Sequence, residues 1–203
     1  SDTGNLVAGS YPVRMAQFLN SLGVPAQSDS VFGDGGSAAE TTCANDGRVS
    51  CGGFAQQLGL NGIAGAFFGA TASGSAFTFT PVGNVDSATI WYATASGNGT
   101  FSFQCDSNTA TNINTNAATS YTSTTITCPS AGHHTFSVLW VSGATGTYFN
   151  GIETFNSTSH AVRIIPAGWS GSKIQDWQST AAAYAPQSAV VTLAADAILF
   201  DIG

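Results

Sequence analysis

The sequence predicts an α/β domain that is split by an inserted antiparallel β-sandwich. Three observations support this prediction. Residues 11–22 carry apolar side chains at helical spacing, and residues 60–165 alternate apolar and polar side chains. Residues 160–202 then run through a strand, a glycine turn, a helix and a second strand, which is typical of a βαβ unit with a parallel sheet.

The helix predicted over residues 11–22 has recognisable ends and one apolar face. Ser10 can cap its first turn, and Gly23 follows it as a C-terminal stop. The apolar face, spaced i, i+3, i+4 and i+7, consists of Met15, Phe18, Leu19 and Leu22. We expect this helix to belong to the α/β layer.

The middle of the chain has the period of two that is typical of half-buried strands. Residues 76–80, 100–104 and 134–138 alternate apolar and polar side chains, and glycine-rich turns separate them. Residues 106–124 are rich in Asn, Thr, Ala and Ser and are predicted to form a long hairpin excursion. Several short strands with regular turns predict an antiparallel sandwich or jelly roll.

The C-terminal part is predicted to hold the βαβ unit. Residues 160–165 fit a short strand, residues 173–184 fit a helix, and residues 195–202 fit a buried apolar strand. The domain division that follows assigns residues 1–55 and 160–203 to the α/β part and residues 56–159 to the inserted sandwich.

Composition excludes several classes of function. The chain of 203 residues is only 7% charged, with a net charge of −7 and a pI near 4.4. Nucleic acid is therefore not an expected partner, because no basic stripe is present to neutralise phosphates. No apolar run reaches the ~18 residues that a membrane helix needs. A signal peptide is expected to be absent or removed, since no charged segment precedes an apolar one.

The cysteines indicate an oxidising compartment. An even count of four in a chain with a neutral, Ser- and Thr-rich composition predicts two disulfides and a secreted protein. Three connectivities are possible, and proximity in sequence favours Cys43–Cys51 and Cys105–Cys128. A zinc site is disfavoured because the spacings are not C-x-x-C and no histidine lies close to either pair in sequence. We expect no metal and no cofactor.

Three short blocks resemble those of the GDSL-type, or SGNH, hydrolases. Residues 1–5, Ser-Asp-Thr-Gly-Asn, resemble the tail of the family's GDSxSDTGN block. Residues 168–172 resemble the second block, and residues 198–203 resemble the strand that leads into the family's G-x-N-D block. Their order and separation fit the family as well.

The middle of the chain supports the same resemblance. Residues 77–86, 132–136 and 151–156 resemble a jelly-roll insert found in some bacterial and phage SGNH hydrolases. The resemblance implies a flavodoxin-like three-layer α/β sandwich, present here in part, that carries this insert. It implies hydrolysis of esters, often of acyl groups on carbohydrates.

The family's chemistry is a serine, histidine and aspartate triad with an oxyanion hole. Carried onto this chain, the resemblance makes the backbone N–H of Gly171 an oxyanion donor. It places Trp169 and Ser170 in the pocket lining and makes Gly203 the first residue of the third block. Ser1 most resembles the second serine of the first block, and is the nucleophile only if Gly-Asp directly precedes it.

The sequence departs from the family pattern at both ends. Within residues 1–203 there is no Gly-Asp-Ser, no complete G-x-N-D block and no Asp-x-x-His. We therefore expect this chain to be the central part of a secreted esterase, with the nucleophile, the asparagine and the catalytic Asp/His pair outside it. Alone it is expected to be inactive. The alternative is a non-catalytic glycan-binding module or a structural, assembly module.

The remaining candidate residues have structural interpretations beside functional ones. His133 and His134 are expected at a strand edge, whereas His160 either borders the site or lies in a solvated loop. Asp201 is expected to be a buried structural residue and Asp34 to lie in a turn. The expected partner is a carbohydrate or acyl-ester substrate, and a second chain that completes the parallel sheet at its exposed edge.

Overall fold

The computed structural model describes residues 11–33, 41–143, 145–168 and 172–199, without the side chains of residues 58–60. Within them the chain forms a β-sandwich of two antiparallel sheets, with a few short helices. The helices are α1 (Tyr11–Ser21), α2 (Thr42–Asn45), α3 (Ile174–Trp177) and α4 (Pro186–Leu193). The strands are β1 (Ala26–Gln27), β2 (Val31–Phe32), β3 (Val49–Gly52), β4 (Ala55–Gly62), β5 (Gly65–Ala70), β6 (Ala76–Phe79), β7 (Val85–Thr94), β8 (Thr100–Cys105), β9 (Thr111–Asn114), β10 (Ser120–Gly132), β11 (Phe136–Ser142), β12 (Thr147–Phe155) and β13 (Val162–Arg163).

Each sheet combines local hairpins with long-range pairings. The sheet that we call the central sheet has the order β10-β7-β12-β5-β4, and β2 pairs with β12 as well. The second sheet, called the front sheet, has the order β3-β6-β11-β8-β9. Strands β4 and β5 form a hairpin, as do β8 and β9, whereas β7 and β12 pair across a long stretch of sequence.

Phenylalanine side chains fill the space between the two sheets. The ring of Phe149 lies 5.6 Å from that of Phe54 and 4.9 Å from those of Phe68 and Phe77. These separations fall within the range in which aromatic pairs attract one another. Phe149 is completely buried, so the aromatic cluster around it is the centre of the main core.

A second, smaller core covers the other face of the central sheet. There Ala189 of α4 packs in one buried cluster with Phe67, Trp91 and Tyr121 of the central sheet. The helix begins with Pro186 in its first turn, and it ends at Ala194, which has a left-handed backbone with φ 55°. Strands β7 and β12 are consequently buried along almost their whole length, because both of their faces are covered.

The predicted α/β fold class is wrong. Among the described residues, parallel pairing is confined to the two-residue strands β1 and β13, so no flavodoxin-like SGNH layer is seen. Residues 195–199 form no strand and are exposed, although an apolar run predicted a buried strand there. The predicted helix at 173–184 is reduced to the four residues of α3. The buried central strands are instead β7 and β12, and the domain division stays a prediction.

The sandwich itself was predicted more accurately. The alternating segments form β6, β8 and β11, and the helix α1 forms where it was expected. The expected burial of the helix is wrong in part, because Phe18 and Leu22 are 58% and 62% exposed, whereas Pro12 and Ala16 are buried. No helix in the described part of the chain is long and apolar enough to cross a membrane.

Two disulfides link secondary-structure elements of the sandwich covalently. Cys43–Cys51 joins α2 to β3, and Cys105–Cys128 joins β8 of the front sheet to β10 of the central sheet. These are the two pairs that proximity in sequence favoured. The second bridge fixes the two sheets to each other at one edge of the sandwich.

Replacing the central ring should strongly destabilise the protein. We expect Phe149→Ala to lower the free energy of unfolding by about 3–5 kcal/mol, because it leaves a cavity among packed rings. Urea unfolding with the disulfides intact measures this. Val82→Ala, at a position 69% exposed, is the control and should change stability by less than ~0.5 kcal/mol. Similar losses in both variants would contradict the assignment of Phe149 to the core.

Candidate functional site

A depression with a volume of about 390 Å³ lies where β12 ends and β13 begins. Strand β1, which pairs with β13, contributes one side, and the turn after β12 contributes another. We call it the Arg163 depression. It is lined by Gln27, Phe155, Asn156, Ser157, Ser159, His160, Ala161 and Arg163.

Arg163 is held from two directions. Its Nη1 lies 2.8 Å from Oε1 of Glu153, and its guanidinium carbon lies 5.3 Å from the ring centre of Phe155. Both contacts are attractive, one between opposite charges and the other between a cation and an aromatic face. The side chain of Arg163 is nevertheless 46% exposed, whereas that of Glu153 is 9% exposed. The guanidinium is therefore oriented by the protein and still accessible to a ligand.

A buried polar network continues from Glu153 into the central sheet. The indole N–H of Trp91 donates to Oε2 of Glu153 over 3.4 Å, and the indole stacks on the ring of Tyr121 at 5.7 Å. The hydroxyl of Tyr121 donates to Oδ1 of Asn150 at 2.9 Å. Burial, reinforced by the charge of Glu153, raises the pKa of Tyr121 well above its usual value, so the phenol stays neutral and keeps donating.

The turn after β12 is fixed by a carboxylate. Asp86 accepts from the backbone N–H of Ser157 at 2.9 Å and from its hydroxyl at 2.5 Å, and the hydroxyl of Ser87 donates to it at 2.7 Å. The hydroxyl of Ser157 is the largest cause of a lowered pKa of Asp86, which therefore stays ionised. Asp86 thus anchors the turn to the start of β7.

Asn156 presents a donor within this turn. Its Oδ1 accepts from the backbone N–H of Thr158 at 3.0 Å and from the Thr158 hydroxyl at 2.7 Å. This contact fixes the amide plane, and among the described residues the NH₂ group has no acceptor, so it remains a donor. Together with Arg163 and the ring of Phe155, it gives the depression hydrogen-bond donors beside an apolar face. Such a surface is suited to binding a polar ligand. The hydroxyl of Ser157 does not contribute to it as a free donor, because it already donates to Asp86.

Several predicted site residues lie outside the described residues: Ser1, Asp34, Trp169, Ser170, Gly171, Asp201 and Gly203. Their roles stay predictions. Among the described candidates, His160 lines the Arg163 depression. Trp91 is buried in the smaller core and Tyr92 in the main core, so both have structural roles.

His134 has a structural role next to a disulfide. Its Nδ1 lies 2.7 Å from Oδ2 of Asp106, and its Nε2 lies 2.8 Å from the backbone oxygen of Ser130. Proximity in sequence did not show that a histidine lies beside one of the cysteine pairs in the folded chain. Ring and sulfur atoms of His134, Cys105 and Cys128 lie within 4.8 Å of one another. These residues do not fit a metal, since the sulfurs form a disulfide and metal ligation requires thiolates.

Sequence analysis missed the residues that build the depression. Glu153, Phe155, Asn156 and Arg163 come from one short stretch of chain, but only their neighbours in space reveal their roles. One signal was available. A single acidic residue in a strand that is otherwise uncharged, as Glu153 is in β12, usually has a charged partner when it is buried.

Comparisons with known proteins find similar structures but no similar sequence family. No family model and no curated protein matches the chain. A two-domain esterase active on acetylated mannans, co-crystallised with mannopentaose, has 14% identity and a TM-score of 0.49 over 64% of this chain and 38% of its own. A family two carbohydrate esterase from Cellvibrio japonicus has 13% identity and a TM-score of 0.42 over 63% and 33%. A CBM35 from Paenibacillus barcinonensis has 13% identity and a TM-score of 0.41 over 55% and 94%.

The structural neighbours are thus carbohydrate esterases and other carbohydrate-active proteins. This chain spans 33–38% of the length of the two esterases described above. At these identities and TM-scores the similarity assigns no function, which has to come from the residues of this chain.

The contact between His134 and Asp106 should make stability depend on pH. Both acceptors around His134 are satisfied at once only by the protonated ring, which donates from each nitrogen. The hydrogen bond to Asp106 is the main cause of the raised pKa of His134. The pKa of Asp106 is lowered, because hydrogen bonds from Thr135 and His134 outweigh the opposing effect of partial burial.

The directions of the two pKa shifts define the pH range in which the contact between His134 and Asp106 stabilises the fold. The contribution of His134 is complete below its unfolded pKa of about 6.5 and is lost as pH rises through the raised folded pKa. The contribution of Asp106 is present above about 3.9 and is lost as pH falls through the lowered folded pKa. We therefore expect Asp106→Asn to destabilise the protein most near pH ~5 and less near pH ~9. Urea unfolding at several pH values measures the difference in the free energy of unfolding between the wild type and Asp106→Asn, and Asp196→Asn at an exposed position is the control. A difference that does not vary with pH would refute this account.

Proposed function

We propose that this protein binds carbohydrate through the Arg163 depression and acts as an extracellular β-sandwich recognition domain. The observation that carries the proposal is the arrangement of a guanidinium, an amide and an aromatic ring that the surrounding fold holds in fixed positions. The ion pair of Arg163 with Glu153 and its contact with Phe155 are the central part of this arrangement.

The lining matches the chemistry of a sugar. A sugar presents hydroxyl groups around its edge and C–H groups on its faces, so it needs polar side chains beside an apolar surface. Asn156, His160 and Arg163 supply polar groups, and Phe155 supplies an aromatic ring. Because Arg163 and Asn156 are already immobilised by protein contacts, binding would cost little side-chain entropy.

The rest of the chain is compatible with an extracellular location. Two disulfides persist in oxidising compartments, where secreted proteins meet polysaccharides. The surface is poor in charge and rich in Ser, Thr and Asn. We include this location in the proposal.

Binding is testable with soluble polysaccharides. Affinity electrophoresis in gels containing mannan, xylan, galactan or glucuronoxylan should retard the wild-type chain in at least one gel, and calorimetry then gives Kd. We expect Asn156→Ala and His160→Ala to weaken binding about 5- to 30-fold each, because each removes a hydrogen bond worth about 1–2 kcal/mol. His133→Ala removes an exposed histidine that does not line the depression and is the matched control. Failure to bind any polysaccharide, or equal binding by all variants, would refute the proposal.

A second candidate function is hydrolysis of acyl esters on carbohydrate, favoured by the three sequence blocks that resemble those of SGNH hydrolases. In this proposal the backbone N–H of Gly171 donates to the oxyanion, while Trp169, Ser170 and Gly203 line the pocket. Ser1 is the nucleophile, or else the nucleophile belongs to a segment or chain outside these residues.

A fluorophosphonate probe tests this second candidate, because it labels only an activated serine. We expect the 203-residue chain to remain unlabelled and not to hydrolyse p-nitrophenyl acetate, whereas a longer form that supplies the missing blocks should do both. Mass spectrometry locates any label. Labelling at Ser1 that is lost in Ser1→Ala but kept in Ser10→Ala would make Ser1 the nucleophile. A longer form that stays inactive would eliminate the esterase candidate.

A further inference from the structure

We infer that the carbohydrate bound in the Arg163 depression carries a carboxylate, as a uronic acid unit does. This inference rests on the proposed function and narrows it from carbohydrate in general to acidic carbohydrate. It is drawn from the charges and hydrogen-bond donors that face the depression.

The depression has a cationic lining residue and no acidic one. Arg163 is a permanent cation, and no Asp or Glu is among the lining residues. The carboxylates near it do not line it. Glu153 is buried with both oxygens engaged, by Arg163 and by Trp91, and Asp86 is engaged by Ser157 and Ser87.

This local charge contrasts with the rest of the protein. The chain has a net charge of −7 and only four Lys and Arg residues in total. An anionic ligand is therefore repelled by the molecule as a whole. Because salt screens charges beyond ~8 Å in physiological solution, the groups within hydrogen-bond reach decide whether such a ligand binds.

The free edge of Arg163 has the geometry that a carboxylate needs. In the described part of the chain its ion pair uses the Nη1 side, with Glu153. A guanidinium carries five N–H groups in a planar fork, and two parallel N–H groups can hold both oxygens of a carboxylate. Phe155 supports the face of the guanidinium and so keeps the fork in place. The NH₂ group of Asn156 adds a neutral donor on the same depression.

Glu153 acts as a positioning residue in this arrangement. Its carboxylate lies 2.8 Å from Nη1 of Arg163 and offsets part of the charge of the guanidinium, but a ligand in the depression meets N–H groups rather than the buried oxygens. The hydroxyl groups of an uncharged sugar can accept from the guanidinium edge, but a carboxylate accepts from two parallel N–H groups at once and adds the attraction between opposite charges.

The test compares polymers that differ only in the carboxylate. Glucuronoxylan and polygalacturonate are each tested beside a form whose carboxyl groups have been reduced to alcohols, with calorimetry of the 203-residue chain at low salt. We expect at least one acidic polymer to bind ten-fold or more tightly than its reduced form. The preference should decrease as NaCl is raised, because salt screens exposed charge pairs.

Variants assign the preference to Arg163. Removing Arg163 alone leaves Glu153 buried without its cation, so the test uses the double variant Arg163→Met/Glu153→Gln, which leaves no buried charge. Its thermal unfolding midpoint confirms that it folds. We expect it to bind the acidic and the reduced polymer equally. Arg163→Lys keeps the charge but not the fork and should retain only part of the preference. Arg14→Met, which removes an exposed cation that does not line the depression, is the matched control and should behave as wild type.

The outcomes separate this inference from the proposed function. Equal affinity of the wild type for an acidic polymer and its reduced form would overturn the inference and leave carbohydrate binding intact. A preference that survives in the folded double variant would also overturn it. Absence of binding to every acidic and reduced polymer would overturn the inference, and the neutral polysaccharides named above then decide whether the proposed function fails with it.

Discussion

The structure depends on the burial of the central sheet on both of its faces. The face toward the front sheet is filled mainly with phenylalanine rings, and the buried indole N–H of Trp140, which packs against this core, has no hydrogen-bond partner among the described residues. The face under α4 also buries Tyr121, Asn150 and Glu153, whose polar groups must find partners inside the protein. An unpaired buried group costs about 1–3 kcal/mol, and an unpaired charge costs more. The side chain of Asn150 satisfies its own polar atoms and the hydroxyl of Tyr121, because it accepts from that hydroxyl and donates to the backbone oxygen of Ile63.

The position of Arg163 follows from the same constraint. Glu153 is charged and almost completely buried, so it requires a cation at the edge of the sheet, and Arg163 on β13 supplies one. Strand β13 is held in turn by its parallel pairing with β1. Asp86 fixes the intervening turn through Ser157. The depression is therefore bordered on several sides by groups that the core requires, which explains how the protein itself holds the donors of the depression in place.

Local signals predicted the front sheet well and the surroundings of the central sheet poorly. Strands β6, β8 and β11 face the core on one side, so their side chains alternate and the period of two is visible. Strand β7 is buried on both faces and shows no such period. Residues 195–199 are apolar apart from Asp196, show no such period either, and are exposed. An apolar run alone therefore does not distinguish a central strand from an exposed segment. The Ala185-Pro186 start of α4 was a usable signal, because proline favours the first turn of a helix.

The candidate site was hidden because its parts meet through long-range pairing. Gln27 reaches the depression only through the pairing of β1 with β13, and no local pattern specifies two strands of two residues. The low charge of the chain offered a better signal. A chain this rich in Ser, Thr and Asn has little need of arginine for solubility, so its few arginines are candidates for specific contacts, and two of them, Arg48 and Arg163, make such contacts. Arg48 is held by Asp46 and packs over Phe79, and Arg163 is held by Glu153 over Phe155. The two arginines make the same pair of contacts, but Arg48 is 11% exposed and Arg163 is 46% exposed. The first is thereby confined to a structural role, and the second keeps a free edge with which to bind.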